Sequence, residues 1–288
     1  MTKPIIIAEI GCNHMGDINV AHKMIKVAAE FCNADIVKFQ KRTPKELLLE
    51  KQYNAPHPDP RNAFGNTYGE HREFLEFNLE QHRKLKYWCE EEGAEYSTSV
   101  WDLTAAMEII TLNPKLIKIP SASNLDFVLL DYIVKNFGGK IHLSLGMTTN
   151  KEEEKIVDIF VKNKRNKDLV LYNCVSGYPV KFEDMCVLEI NRLKENYVSI
   201  IDSIGFSGHH LGIAVDIAAL TLGAGYFERH FTLDRTLKGT DHAASLEPDG
   251  MRKLVRDLNN VYLSLNVKSK EILDVEIPQR EKLKRNLF

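Results

Sequence analysis

The chain has 288 residues, of which 44% are hydrophobic and 27% charged, and its formal net charge is −2. That is an ordinary globular composition, and the near-zero charge excludes a global field for nucleic acid or an anionic membrane. No apolar run approaches the roughly 20 residues that span a bilayer.

Met1-Thr2-Lys3-Pro4 leads directly into a strand-like run with no visible signal peptide. The five cysteines, Cys12, Cys32, Cys89, Cys174 and Cys186, form no C-x-x-C pair. They read as reduced thiols of a cytoplasmic protein, packed as small hydrophobes.

In chain order, short apolar runs predict eight strands: 5–11, 35–40, 94–100, 116–121, 140–146, 168–175, 203–209 and 226–231. They are rich in Val, Ile and Leu and barely alternate, as in strands covered on both faces. Helical spacing predicts helices over 20–31, 70–92, 102–110, 151–162, 183–194, 213–222 and 248–265. Strand–helix alternation selects the α/β class, and eight units favour a (β/α)8 TIM barrel, which typically takes about 250 residues. Residues 1–266 are assigned to this barrel. Residues 267–288 read as a charged tail or the start of an interdomain linker, with Lys282, Lys284 and Arg285 as a solvated face. The connection from Gln40 to about Glu70, rich in Pro, Asn, His and Gly, leaves the end of the second strand and reads as a lid.

Nearly every strand ends in a residue able to do chemistry, and barrel enzymes gather their sites at that rim. His209 and His230 close the last two strands, so their rings can converge on a divalent metal, with Glu9 and Asp241 as oxygen candidates. The plainer reading of each is a hydrogen-bonded core histidine. Lys38 and Lys118 sit late in apolar strands, where a lysine needs an anionic partner. Together with the hydroxyls of Ser121, Ser144, Ser176 and Ser207 they suit a small, highly charged anion; otherwise the lysines snorkel to the opposite end. Neither G-x-x-x-x-G-K-[ST] nor G-x-G-x-x-G occurs, which argues against a kinase or dehydrogenase.

From Ile5 to about Leu265 the chain resembles the N-acylneuraminate (sialic acid) and related nonulosonate synthases. The resemblance lies in Ala8-Glu9-Ile10-Gly11-Cys12-Asn13-His14, Val37-Lys38-Phe39-Gln40, Ser97-Thr98, Lys118-Ile119-Pro120-Ser121 and Leu143-Ser144-Leu145-Gly146-Met147. It continues in Cys174-Val175-Ser176-Gly177-Tyr178-Pro179, Phe206-Ser207-Gly208-His209, Glu228-Arg229-His230-Phe231-Thr232-Leu233-Asp234, Gly239-Thr240-Asp241-His242 and Ser245-Leu246-Glu247-Pro248. It implies a metal-dependent barrel that condenses phosphoenolpyruvate with a hexosamine-type aldose such as N-acetylmannosamine, giving a 3-deoxy-2-ketoacid sugar and phosphate.

Carried over by position, His209 and His230 are the implied metal ligands, for Mn2+ or Mg2+. Lys38, Thr98, Lys118, Ser121, Ser144, Ser176 and Ser207 are the implied phosphoenolpyruvate cradle. Glu9, Gln40, Asn66, Tyr178 and Asp241 are the implied sugar contacts, and Glu9, Lys38, Lys118, His209 and His230 the implied catalytic set. The expected partners are phosphoenolpyruvate and an aldose, with a homodimer as a further possibility, and neither nucleic acid nor membrane.

The chain departs from the family pattern in three places. Ser123 stands where a sugar-contacting Glu is usual, Gly208 where an acid precedes the metal histidine, and Leu145 where Thr is usual. The chain also ends about where the linker to a small antifreeze-like domain would begin in relatives. Two alternatives follow: the same chemistry on another, phosphorylated acceptor, or a degenerate barrel that binds an acidic metabolite.

Overall fold

In a computed structural model, residues 2–285 are described. Met1 and the last three residues of the expected tail, 286–288, lie outside the described residues. Eight parallel strands close into a barrel in sequence order: β1 (Ile5–Gly11), β2 (Ile36–Lys41), β3 (Glu95–Val100), β4 (Leu116–Ile119), β5 (Lys140–Ser144), β6 (Leu169–Cys174), β7 (Ser203–Ser207) and β8 (Tyr226–His230). β8 pairs back onto β1, with Glu9 opposite His230. A main helix follows each strand: α1 (Ile18–Lys26), α2 (Leu79–Glu91), α3 (Leu103–Ile110), α4 (Phe127–Asn136), α5 (Asn150–Lys162), α6 (Glu189–Tyr197), α7 (Ala214–Leu222) and α8 (Pro248–Ser264). The chain is therefore a (β/α)8 barrel. Among the described residues, no helix is long and apolar enough to cross a membrane.

Three helical expectations are corrected, and one further helix appears. The helix expected over 20–31 is α1 followed by a π-helical turn at Val27–Phe31. The one expected over 70–92 breaks into Tyr68–Phe74 and α2, because the Asn78 side chain takes the Gln81 N–H at 2.9 Å and starts a new helix. The one expected over 183–194 begins only at Glu189, after a short 3-10 turn at Phe182–Asp184. Helix α4 was not anticipated: Phe-Val-Leu-Leu-Asp-Tyr-Ile-Val is apolar almost all round, so its period is faint. Asp126 caps it, accepting from the Val128 and Leu129 amides.

Side chains alternate across each strand. Outward residues such as Ile6, Ala8, Val37, Phe39, Ile117, Leu143, Phe206 and Phe227 fill the core between strands and helices. Inward residues near the strand starts, Ile7, Ile36, Leu116, Val170, Tyr172 and Tyr226, form a separate plug in the lower barrel. Above this plug the inward positions turn polar. The tail carries a short helix, Ile277–Leu283, and is largely exposed.

Candidate active site

The polar upper layer lies at the C-terminal ends of the strands, as expected for a barrel site. It lines a cavity of about 380 Å³. Period-two alternation brings Glu9, Lys38, Ser99, Lys118, Ser144, Cys174, Ser207, Glu228 and His230 to its wall.

Lys38 and Lys118 are only 2% and 1% exposed, so neither snorkels to water. Each finds an acid. Lys38 Nζ lies 2.5 Å from Glu9 Oε2 and donates to Ser99 Oγ at 2.7 Å. Lys118 Nζ lies 2.8 Å from Glu228 Oε2, whose other oxygen is 3.7 Å from Lys38. One carboxylate thus bridges two ammonium groups. Burial alone would raise the Glu228 carboxyl, but Lys118 and Lys38 outweigh it and hold the group well below the usual range. Burial lowers Lys118, against the pull of Glu228. The Lys118 ammonium also sits 3.8 Å from the centre of the Tyr172 ring, whose hydroxyl meets His142 Nδ1 at 2.8 Å. Glu9 is raised, chiefly by burial and further by Glu228, although Lys38 opposes the shift.

The serines form the adjoining wall. Ser121, Ser144, Ser176 and Ser207 all line the cavity. The Gly146 amide donates to Ser121 Oγ at 3.1 Å. A Cβ on Gly146 would collide with the Ser176 and Ser121 hydroxyls, so a glycine is needed for them to converge. Gly11 serves a similar end at the β1 bulge. Its φ is +55°, and a Cβ there would lie 2.9 Å from Gln40 Nε2.

His209 and His230 converge, with ring centroids 5.4 Å apart. His209 Nδ1 lies 3.0 Å from the Val175 carbonyl. A carbonyl only accepts, so Nδ1 carries the proton and Nε2 keeps its lone pair, the arrangement typical of a metal-ligating imidazole. Burial and the neighbouring His230 lower His209 to about 3, so it is neutral at physiological pH. His230 Nδ1 is buried without a hydrogen-bond partner and lies 3.9 Å from Asp241 Oδ2. The Asp241 carboxyl is held low because His230 and the Thr240 hydroxyl outweigh its burial. Among the described residues, no group of three or more His, Cys, Asp or Glu is placed to hold an ion. His209 and His230 are the residues that could hold a divalent ion: two imidazoles, one of them with an orphaned nitrogen.

The loop carrying His209 is pinned from outside the barrel. Arg229, on the outward face of β8, donates to Asp216 Oδ2 at 2.5 Å, to the Gly212 carbonyl at 2.9 Å and to the His210 carbonyl at 2.6 Å.

Two expected residues are not brought together with the rest. Thr98 lies on the outward face of β3 and does not line the cavity; Ser99, on the inward face, contacts Lys38 instead. Asn66 is exposed, and its amide donates to Glu70 Oε2 at 2.7 Å in the cap of the Tyr68–Phe74 helix. Gln40, Tyr178 and Asp241 do line the cavity, Tyr178 at its mouth. Ser123 turns its hydroxyl to the Trp101 carbonyl at 2.7 Å.

Sequence reasoning missed Glu228, although fixing His230 inward fixes Glu228 inward by period two. It also missed the lid's contribution: His57, Tyr68, His71 and Arg72 line the outer cavity. Asn62 Oδ1 accepts from the Gly239 amide at 3.1 Å, tying the lid to the loop after β8.

A family model described as the NeuB family matches residues 24–270. The chain is 37% identical over 282 residues to the N-acetylneuraminate-9-phosphate synthase of Homo sapiens, covering 98% of this chain and 77% of that protein. It is 33% identical to the N,N'-diacetyllegionaminic acid synthase of Campylobacter jejuni, covering 92% of this chain and 78% of that one. The solved N-acetylneuraminic acid synthetase of Leptospira borgpetersenii superposes with a TM-score of 0.81 at 30% identity, covering 98% of this chain and 93% of that one. The matches extend over most of the barrel in sequence and in fold: the chain belongs to the NeuB family.

Proposed function

We propose that the protein condenses phosphoenolpyruvate with an aldose, resembling N-acetylmannosamine, to give a 3-deoxy-2-ketoacid of the sialic acid type plus phosphate. The observation that carries this reading is the pair of buried lysines sharing Glu228 beside four converging serines. Such a cradle matches a three-carbon donor with a carboxylate and a phosphate on adjacent atoms. Lysine supplies point charges and serine supplies directional donors. Glu228 and Glu9 hold both lysine side chains in place before the donor arrives, so little reorganisation is needed on binding.

In the reaction, C3 of phosphoenolpyruvate attacks the aldehyde carbon and the aldehyde oxygen takes a proton. Water adds at C2 and the C2–O bond to phosphate cleaves; C2 becomes a ketone, and the two protons of the water balance those taken by the new hydroxyl and by the departing phosphate. Glu9, raised by burial and next to Lys38, is suited to hold the proton that the aldehyde oxygen takes. Gln40 Nε2, 3.2 Å from Glu9 Oε1, orients that carboxyl. His209 and His230 would hold a divalent ion, Mn2+ or Mg2+. When bound, the ion supplies Lewis-acid polarisation of the acceptor's carbonyl.

The test is release of inorganic phosphate from phosphoenolpyruvate. The reading expects release only when an aldose and a divalent ion are both present. Release that ignores the aldose would contradict it.

A further inference from the structure

The two buried lysines of the cradle are held in different ways. Lys38 is spent on protein groups: Glu9, the Ser99 hydroxyl and the second oxygen of Glu228 surround it. Lys118 has one hydrogen-bond acceptor among the described residues, Glu228 Oε2 at 2.8 Å. Its ammonium also lies over the Tyr172 ring, 3.8 Å from the centroid, well inside the range of a cation–π contact. The contact is built across neighbouring strands. Lys118 on β4 pairs with His142 on β5, and Ser144 on β5 pairs with Tyr172 on β6. Tyr172 in turn stands opposite Gly205 on β7. A Cβ on Gly205 would fall 2.6–2.7 Å from three atoms of the Tyr172 ring, so the ring can occupy this place only where that side chain is missing.

His142 fixes the ring. Its Nδ1 meets the Tyr172 hydroxyl at 2.8 Å, and its own ring packs T-shaped against Tyr226 at 4.7 Å. His142 and Tyr172 are fully buried, and neither lines the cavity. Burial and the nearby Lys118 hold His142 well below its ordinary value; burial and Glu228 hold the Tyr172 phenol well above its own. The pair is therefore neutral. A carboxylate in place of the ring would also hold Lys118, but it would cancel the charge that draws an anionic donor. A ring face favours the cation, against the burial that lowers Lys118, and adds no net charge. An ammonium has three N–H bonds. Glu228 accepts one, the ring face takes a second direction, and the third is left for the cavity that Lys118 lines.

We propose that Tyr172, fixed by His142, is a positioning residue: its ring face aims the Lys118 ammonium at the anionic groups of the donor and so sets the affinity for phosphoenolpyruvate. The inference rests on the donor reading above and deepens it. Tyr172 touches no substrate; it acts through Lys118. Gly205 belongs to the same device, because it clears the space in which the ring lies.

The experiment varies the electrons of the ring and keeps its shape. Tyr172 is replaced by phenylalanine and by its mono-, di- and trifluorinated analogues, since fluorine withdraws density from the face that meets the ammonium. Phosphoenolpyruvate is titrated into each by calorimetry, with a chelator and without aldose, so that binding is read apart from turnover. The proposal expects affinity to fall with every added fluorine, by at least about tenfold from phenylalanine to the trifluorinated ring. Tm should fall along the series as well, and in a Lys118→Met background it should not, because the cation that senses the ring is gone. In steady-state assays Tyr172→Leu should raise KM for phosphoenolpyruvate and leave kcat near the parent's, and Tyr172→Phe should restore most of the KM. A flat affinity along the series, or a Tm trend that persists with Lys118→Met, overturns the proposal. No binding of phosphoenolpyruvate to the parent would sink the donor reading together with it. Binding that follows the series, with no aldose-dependent phosphate release once metal is restored, leaves Tyr172 in its role and sinks the condensation reading alone.

Discussion

Glu228→Gln isolates the charge arrangement on which the site depends. The substitution keeps shape and removes the carboxylate that bridges Lys118 at 2.8 Å and Lys38 at 3.7 Å. Lys38 retains Glu9 at 2.5 Å, so the loss falls mainly on Lys118, which keeps only the Tyr172 ring face at 3.8 Å. Removing one partner of a buried ion pair costs about 3–5 kcal/mol, and the ring face already present limits the loss to the lower end. The expected destabilisation is about 3 kcal/mol at pH 7, a fall of roughly 6–12 °C in Tm for a chain of this size. Equilibrium urea unfolding measures the first quantity and calorimetry the second.

The pH dependence has a definite sign. Burial already lowers Lys118 relative to its unfolded value, and losing Glu228 lowers it further. As pH rises through the folded value, the native state sheds a proton that the unfolded chain keeps, so native stability rises. The penalty of Glu228→Gln should therefore shrink with rising pH. It should also shrink on adding phosphoenolpyruvate, whose anions replace the missing carboxylate. A variant within about 0.5 kcal/mol of the parent at pH 7, with no pH trend, is the scatter of an ordinary surface change and would refute the clamped, charged lysine pair.

Further outcomes test individual walls of the site. Gly146→Ala drives a methyl group into Ser121 and Ser176; calorimetric affinity for phosphoenolpyruvate should fall at least about tenfold while far-UV circular dichroism stays unchanged. Ser99→Ala removes the hydroxyl held by Lys38 and should lower kcat/KM. Thr98→Val, on the other face of the same strand, should leave kcat/KM at the parent level; the reverse ranking would restore Thr98 to the cradle. Electron paramagnetic resonance of Mn2+ should show binding to the parent and a loss of roughly 100-fold or more in affinity for His209→Ala and His230→Ala, since even outer-shell changes cost about 10–100-fold. Unchanged Mn2+ binding in both variants would remove the metal role from these histidines.

Much of this was legible because strands covered on both faces are recognisable apolar runs, and each run ends in or beside a residue that lines the cavity. Lys38, Lys118, His209 and His230 stand out as polar residues at the ends of such runs. The failures have physical causes. Along β3 the run Glu-Tyr-Ser-Thr-Ser-Val carries polar groups in both phases, so alternation could not say that Ser99 rather than Thr98 faces inward. Along β8, Glu228 and Arg229 are adjacent and both charged; one faces the lysines, the other pairs outward with Asp216. Their roles separate only once His230, two residues beyond Glu228, is fixed inward. The lid residues Tyr68 and Arg72 sit on a seven-residue helix and reach the cavity through tertiary folding that no local period records.

The central claim, a new carbon–carbon bond between phosphoenolpyruvate and an aldose, is tested most directly by double labelling. Phosphoenolpyruvate enriched with 13C at C3 and an aldose enriched at C1 are incubated with the protein and Mn2+, and the product is examined by NMR. The account expects a one-bond 13C–13C coupling in a single product, formed with one equivalent of inorganic phosphate. Labels recovered in separate molecules, pyruvate and unchanged sugar, would contradict it.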